Sequence, residues 1–427
     1  NRLIIRLEKG ESLLLLKAIY GSKSAGRQWF LDIDAFLKSI GFVSNKAAPC
    51  FYSIIIGKDF VILLLYVDDI IIGATTTALK VKYYDLLRRK YKMTFNEILT
   101  DFLNIALTRD RTKREYHMSQ SAYVEAFHET FQLPKDSSVQ TPFTENLRIS
   151  PTERGDLTPA QRTYVRNFPF RKLIGVVLYC NICTMPGISY AVSNLAKFTS
   201  NPVFDACKEL IRLCKFIYND RHRGLTIGGG RAIVSFSDSD WAGDPETRRS
   251  RSGGITFIGN TPFAWLSKMQ TDTSLSTMQA EHNAMVPSVQ NGIYCKKIMN
   301  ASGIPGLKYK LAVSHMLDND AAKAVSTNPT MPPKAKHIHI KHNYILEQFV
   351  NNAVDYGRVA SADNCSDIFT KPLGKNIFKR HNETVSGNGN IEPLPKRKKT
   401  ICDDHFYCPR CENRMLMDSP NRGNVDI

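Results

Sequence analysis

Between Val61 and Gly73 the chain reads VILLLYVDDIIIG, two apolar runs split by adjacent aspartates. Short runs rich in aliphatic and β-branched residues read as strands, and the polar pair between them reads as their turn. An unpaired carboxylate is costly to bury, so something must offset the charges of Asp68 and Asp69. Phe51–Ile56 and a Gly57-Lys58-Asp59 turn extend the same sheet. Before them, Phe30, Ile33, Phe36, Leu37 and Ile40 recur at helical spacing, and Val81–Tyr91 is predicted to be a basic helix.

Lysine and arginine number 57 against 40 aspartates and glutamates, a formal net charge of +17 over 427 residues. Such a surplus points to a polyanionic partner, most often nucleic acid. The ten cysteines are mostly single and far apart, which suits a reducing compartment rather than a disulfide framework. The opening NRLIIRLEKG has neither a signal-peptide pattern nor an initiator Met, so the chain is expected to begin inside a longer polypeptide. No apolar run approaches the roughly 20 residues that a membrane helix needs, and no membrane partner is expected.

Residues 1–145 mix strands and helices. TPFTENLRISPTERGDLTPAQ reads as a linker, and 146–229 runs on into a mostly helical stretch with Cys180 and Cys183. In 230–378 a strand at Ala232–Ser237 precedes strands near Gly254–Ile258 and Phe263–Ser267 and a long helix from Thr277. Strand Lys310–Leu317, helices near Ala321 and over His337–Val350, strand Val354–Val359 and a short helix at Cys365–Thr370 follow. That order describes a mixed five-stranded sheet with flanking helices, an α/β (α+β) fold. From 379 to 427 HNETVSGNGN is low in complexity and expected to be disordered, and PKRKK is a dense basic run.

The stretch around Asp68 and Asp69 resembles the Tyr-Val-Asp-Asp signature of reverse transcriptases, and its surroundings match too. AIYGSKSAGRQWF resembles the substrate-contacting motif of copia-type retrotransposon polymerases, and SIGFVSNKAAPCFY fits between the two. YHMSQSAYVEAFHETFQL and VQTPF resemble the thumb, and FRKLIGVVLYCNICTMPGISYAVSNLAKFTSNP the connection. SFSDSDWAGDPETRRSRSGGITFIG, SLSTMQAEHNAM, LDNDAAKAVSTNP, KHIHIKHNYI and NCSDIFTKPL resemble the family's ribonuclease H domain. The motifs run in family order from about residue 12 to 378. By this resemblance the chain is identified as part of a copia-type LTR retrotransposon Pol polyprotein. It would hold a partial reverse transcriptase (1–145), a linker and connection (146–229), a ribonuclease H-like domain (230–378) and a basic Cys/His tail (379–427).

The resemblance implies two Mg²⁺ sites, each with two ions. Asp68 and Asp69 would be ligands of the polymerase site, whose other carboxylate comes from an earlier strand in the family; polymerisation by this chain alone is therefore not expected. Tyr20, Gly21, Lys23 and Arg27 would contact the substrate. Asp238, Glu281, Asp318 and Asp367 would complete the ribonuclease site, with Asp240 and Asp320 as near neighbours that the pattern alone does not separate from the ligands. Lys336 and His337 would lie near the phosphates of an RNA–DNA hybrid. A metal site through His337, His339 and His342 is the weaker reading of that helix, and Cys180 and Cys183 read as helix-face residues.

Several positions depart from the family. Ser22, Ser24 and Gly26 replace an apolar residue, a Gln and a Pro. Pro287 interrupts a predicted helix, Gln279 replaces a second Glu, and Arg251 and Gly254 replace small polar and aromatic residues. In the tail, Cys402, His405, Cys408 and Cys411 offer four donors for one zinc at very short spacing. The leading reading is a retrotransposon protein acting on RNA–DNA hybrids, RNA and DNA beside other segments of its polyprotein. Its place would be a cytoplasmic particle and the nucleus, with PKRKK read as a nuclear-import signal or an RNA-contacting run. The rivals are a non-catalytic nucleic-acid-binding protein and a decayed remnant.

Overall fold

The structure is a computed structural model, and it describes residues 19, 21–135, 138–150, 157–244, 246–328 and 339–395. The chain divides into two compact units, 1–95 with 297–309, and 96–296 with 310–427.

In the first unit α1 (Ala25–Ser39) precedes β1 (Val43–Ser44), β2 (Phe51–Ile56), β3 (Asp59–Tyr66), β4 (Asp69–Ala74) and α2 (Thr77–Lys90). The four strands pair antiparallel in chain order. Along β3 the side chains alternate: Val61, Leu63 and Leu65 are buried, while Leu64 and Tyr66 are exposed. Ile33 and Leu37 of α1 and Tyr83 and Leu87 of α2, each pair four residues apart, share a core with that buried face and Tyr52. The Thr76 hydroxyl caps α2 by accepting the Leu79 N–H, and Arg88, Arg89 and Lys90 fill its last turn, where positive charge suits the helix dipole.

The second unit opens with β5 (Asp101–Phe102), β6 (Ile105–Asp110), β7 (Glu115–Ser119) and α3 (Ser121–Thr130). Four helices follow, α4 (Pro159–Asn167), α5 (Phe170–Cys183), α6 (Ser189–Leu195) and α7 (Phe204–Asp220), and β8 (Leu225–Ile227) returns to pair with β7. Then come β9 (Ile233–Asp240), β10 (Arg251–Ile258), β11 (Thr261–Met269), α8 (Thr277–Ala301), β12 (Val313–Leu317), α9 (Asp320–Thr327), α10 (His339–Val350), β13 (Val354–Arg358) and α11 (Lys375–Glu383). The sheet order is β11-β10-β9-β12-β13, antiparallel among the first three and parallel from β9 through β12 to β13. This is the expected mixed five-stranded sheet with flanking helices.

Strand β9 has two working faces. Val234 and Phe236 join the core formed by Leu173, Val177, Leu195 and Leu210 of the preceding helices. Ser235 and Ser237 point the other way, and their hydroxyls pair with the two ring nitrogens of His315, each at 3.0 Å. On that second face α8 lies very close: a β-carbon on Gly254 would fall 2.0 Å from Ser288 Oγ, and one on Gly292 2.7 Å from Val313 Cγ1. Helix α8 continues through Pro287. The departure at Gly254 thus opens the room that the residue after Pro287 occupies. Arg251 is equally well accommodated. Its buried guanidinium donates to Ser193 Oγ at 2.7 Å and Ser267 Oγ at 3.2 Å and lies over the Tyr190 ring.

Three expected boundaries differ. Residues 96–145 group with the second unit rather than with the polymerase-like hairpin. The stretch read as a linker packs at its start: Phe143 and Ile149 are buried, and Thr144 donates to Glu209 from its N–H and its hydroxyl. The polar run after 379 is folded as far as 395. His381, Asn382, Val385, Ser386 and Ile391 are buried, with Val385 and Ile391 in the main core and the Asn382 side chain donating to Asp220 at 3.0 Å.

Burial pushes the His315 imidazole down to about 3 and His381 down to about 4, so both are neutral in the folded state. An unfolded histidine takes its proton near pH 6.5, so stability is full above that pH and is lost as pH falls toward the folded values. At pH 4 His315 alone is expected to remove about 3 kcal/mol. Urea unfolding of His315→Gln between pH 7 and pH 4.5 should show a shallower acid loss than the native chain; an unchanged slope would rule out this histidine as the source.

Candidate active site

The aspartate pair of the first unit is exposed. Tyr66 pairs with Asp69, so the two-residue turn is Val67-Asp68, and Asp69 already belongs to β4. Val67 has φ 51°, a region where a β-branched side chain is strained. Trp29 of α1 holds this turn: its Nε1 donates to the Val67 carbonyl at 2.6 Å. Sequence reading missed Trp29, which looked like one more apolar residue on an amphipathic helix. Solvent thus offsets both charges here. Among the described residues no third acid gathers with Asp68 and Asp69 into a group able to hold a metal. Gly21 lies in the left-handed region at φ 92°, and Lys23 and Arg27 are exposed. Tyr20 lies outside the described residues, as do Lys336, His337 and the four tail residues Cys402, His405, Cys408 and Cys411.

In the second unit three predicted acids meet. Asp238 comes from β9, Glu281 from α8, and Asp318 follows β12 directly. One carboxylate oxygen from each lies within 4.8 Å of the others. Asp238 and Glu281 are buried. Ser239 fixes Glu281, giving both its hydroxyl at 2.9 Å and its N–H at 3.2 Å to Oε1. Glu281 Oε2 is then buried without a hydrogen-bond partner. Burial raises the Glu281 carboxyl well above the usual range, and the neighbouring charges of Asp238 and Asp318 raise it further. Crowded acids with an orphaned buried oxygen fit a divalent cation, which would relieve both burdens.

The fourth predicted acid, Asp367, lies outside that group of three but beside Asp238, whose charge helps to raise its carboxyl above the usual range. Asp367 sits in the short helix Cys365–Phe369, and its Oδ2 pairs with Lys371 Nζ at 2.9 Å. Its Oδ1 is buried and unpartnered. Thr370 Oγ1 donates to Asp238 Oδ2. Neither Thr370 nor Lys371 was singled out in the sequence, although both lie in the quoted NCSDIFTKPL motif. The near neighbours lie outside the group of three. Asp240 shares the strand face of Asp238 but folds over Gly243, where a β-carbon would fall 1.7 Å from its Oδ2. Asp320 is exposed and pairs with Arg358. His342 is buried with Nε2 at 3.0 Å from the Val325 carbonyl, the arrangement of a core histidine rather than a ligand.

Residues 3–145 match the family described as reverse transcriptase (RNA-dependent DNA polymerase). The retrovirus-related Pol polyprotein from transposon TNT 1-94 of Nicotiana tabacum is 27% identical over 88% of this chain and 28% of its own length. That from transposon RE1 of Arabidopsis thaliana is 28% identical over 85% of this chain and 24% of its own. The chain thus spans about a quarter of the length of these curated relatives. A solved RNase H1 from Halobacterium salinarum NRC-1 aligns with 33% of this chain and 94% of its own at 14% identity, with TM-score 0.23. Among the described residues no helix is long and apolar enough to cross a membrane. Together the reverse transcriptase match and the likeness to retrotransposon Pol polyproteins over most of the chain support a copia-type retrotransposon Pol fragment.

Proposed function

We propose that the β9–β13 domain is a ribonuclease that cuts the RNA strand of an RNA–DNA hybrid. The observation that carries this reading is the convergence of Asp238, Glu281 and Asp318 from three separate elements within 4.8 Å, with Glu281 Oε2 buried and unpaired. These residues would hold the cation, and an all-oxygen set favours Mg²⁺. When bound, the ion supplies an activated water and stabilises the departing 3′ oxygen. The chain does the remaining work. Ser239 occupies Glu281 Oε1 and leaves Oε2 as the buried oxygen without a partner. Thr370 restrains Asp238. The net charge of +17 favours a phosphate backbone whatever its sequence, and hybrid shape with its 2′-hydroxyls would select the substrate.

Asp68 and Asp69 we assign by resemblance to a polymerase site, with Tyr20, Gly21, Lys23 and Arg27 beside the substrate and Lys336 and His337 near the hybrid. A zinc at Cys402, His405, Cys408 and Cys411, other Pol segments as partners, and a particle with a nuclear step belong to the same reading. The test is a hybrid with an end-labelled RNA strand. Cleavage is expected in Mg²⁺ but not in EDTA, with double-stranded DNA left intact. A folded chain that binds the hybrid and leaves it whole in Mg²⁺ would instead be a binding protein.

A further inference from the structure

Two large apolar side chains flank the acid cluster in the chain and stay in solvent. Trp241, one residue past β9 and three past Asp238, is 46% exposed. Leu275, six residues before Glu281, is 76% exposed. Single exposed hydrophobic residues are ordinary on a protein surface. These two are joined and held outward. The indole Nε1 of Trp241 donates to the Ser274 carbonyl at 3.0 Å, so its edge lies against the peptide that links Ser274 to Leu275. Ser274 itself is buried, its hydroxyl donating to Gln270 Oε1 at 2.7 Å and accepting from Asn283 Nδ2 at 3.1 Å. The Leu275 N–H donates to Gln279 Oε1 at 2.7 Å, which fixes the backbone just ahead of α8. Both side chains thus ride on a seated polar network. With its one donor satisfied, the indole has only an apolar ring left to offer. The loop that follows β9 also carries Arg248 and Arg249, both exposed, where a phosphate backbone would be drawn.

We propose that Trp241 and Leu275 form an apolar shelf that packs against sugars in the minor groove of an RNA–DNA hybrid and seats it beside Asp238, Glu281 and Asp318. The minor groove of an A-form helix is wide and shallow and presents its sugars to the protein. An apolar ring meets the carbon face of a sugar without reading any base, so the contact holds for every hybrid sequence. This rests on the reading of the β9–β13 domain as acting on hybrids.

The test measures binding of a fluorescein-labelled hybrid by anisotropy in EDTA, where no cutting is expected, and cleavage in Mg²⁺. Trp241→Ala is expected to weaken binding and raise KM about tenfold, the size of one aromatic contact to nucleic acid, with kcat within about threefold of native. Leu275→Ser should raise KM about threefold. Trp241→Phe keeps a flat apolar ring but loses the hydrogen bond to Ser274, and it should recover most of the tenfold loss. Melting temperatures of the three variants verify that each is folded. Trp241→Phe as weak as Trp241→Ala would overturn the proposal, because the indole would then act only by holding Ser274. Native affinity in both Trp241→Ala and Leu275→Ser would overturn it as well. A native chain that binds the hybrid without cutting it would remove the ribonuclease reading, while the binding measurements would still decide the shelf. A native chain that does not bind the hybrid would remove both.

Discussion

Asp318→Asn is expected to lower cleavage of an RNA–DNA hybrid by about a thousandfold, because a bound cation contributes several kcal/mol and each 1.36 kcal/mol is tenfold in rate. The amide matches the carboxylate in size but withdraws one of the three charges that gather within 4.8 Å. Binding of the hybrid should change less than about threefold, since phosphate contacts are spread over many basic side chains. Asp320→Asn is the matched control. Asp320 lies two residues on, but it is exposed and paired with Arg358, and exposed pairs contribute about 0–1 kcal/mol. Its cleavage rate should stay within about twofold of the native value. A large loss in Asp320→Asn with Asp318→Asn close to native would show that the pair had been assigned the wrong way round.

The second large effect concerns the segment after 379. Gly387 has φ 89°, and a β-carbon there would lie 2.3 Å from the Thr226 carbonyl oxygen. Both the left-handed backbone and the contact with main chain oppose a side chain, so Gly387→Ala should destabilise the second unit by about 3 kcal/mol. Gly230 also has positive φ, 106°, but nothing lies within 4 Å of its would-be β-carbon, so Gly230→Ala should cost only about 1 kcal/mol. Ending the chain at Phe378 should be worse than either variant. It removes Val385 and Ile391 from the core and the Asn382 side chain that donates to Asp220 at 3.0 Å. Urea unfolding of the three proteins measures the order; a truncated chain as stable as the native one would show that the segment is dispensable.

Much of the fold was legible because periodicity reports burial directly. The alternation along β3 and the strand-helix order after residue 230 follow from which side chains meet a core. What escaped depended on contacts distant in sequence. Alternation put Asp238 and Asp240 on one face; the packing of Asp240 against Gly243 and the gathering of Asp238 with Glu281 and Asp318 are contacts distant in sequence that the pattern does not encode. The turn shifted by one residue because the Tyr66–Asp69 pair closes the hairpin and Trp29, 38 residues before Val67, holds it there. HNETVSGNGN has a disordered composition, yet its few buried residues fit against partners that composition does not encode. Gly254 read as a blemish until Ser288 was seen to occupy its space.

The most direct measurement of the central claim is thermal unfolding of the native chain and of Glu281→Gln, each in EDTA and in Mg²⁺. A cation held by the three acids stabilises only the folded state, by roughly 2.7 kcal/mol at a hundredfold excess over its dissociation constant. The native melting temperature should rise with Mg²⁺. Glu281→Gln, which replaces a carboxyl that burial and its neighbours force to hold a proton, should melt in EDTA at or above the native temperature and respond little to Mg²⁺. A native chain whose melting is indifferent to Mg²⁺, or a variant that gains as much as the native chain, would contradict the cation site.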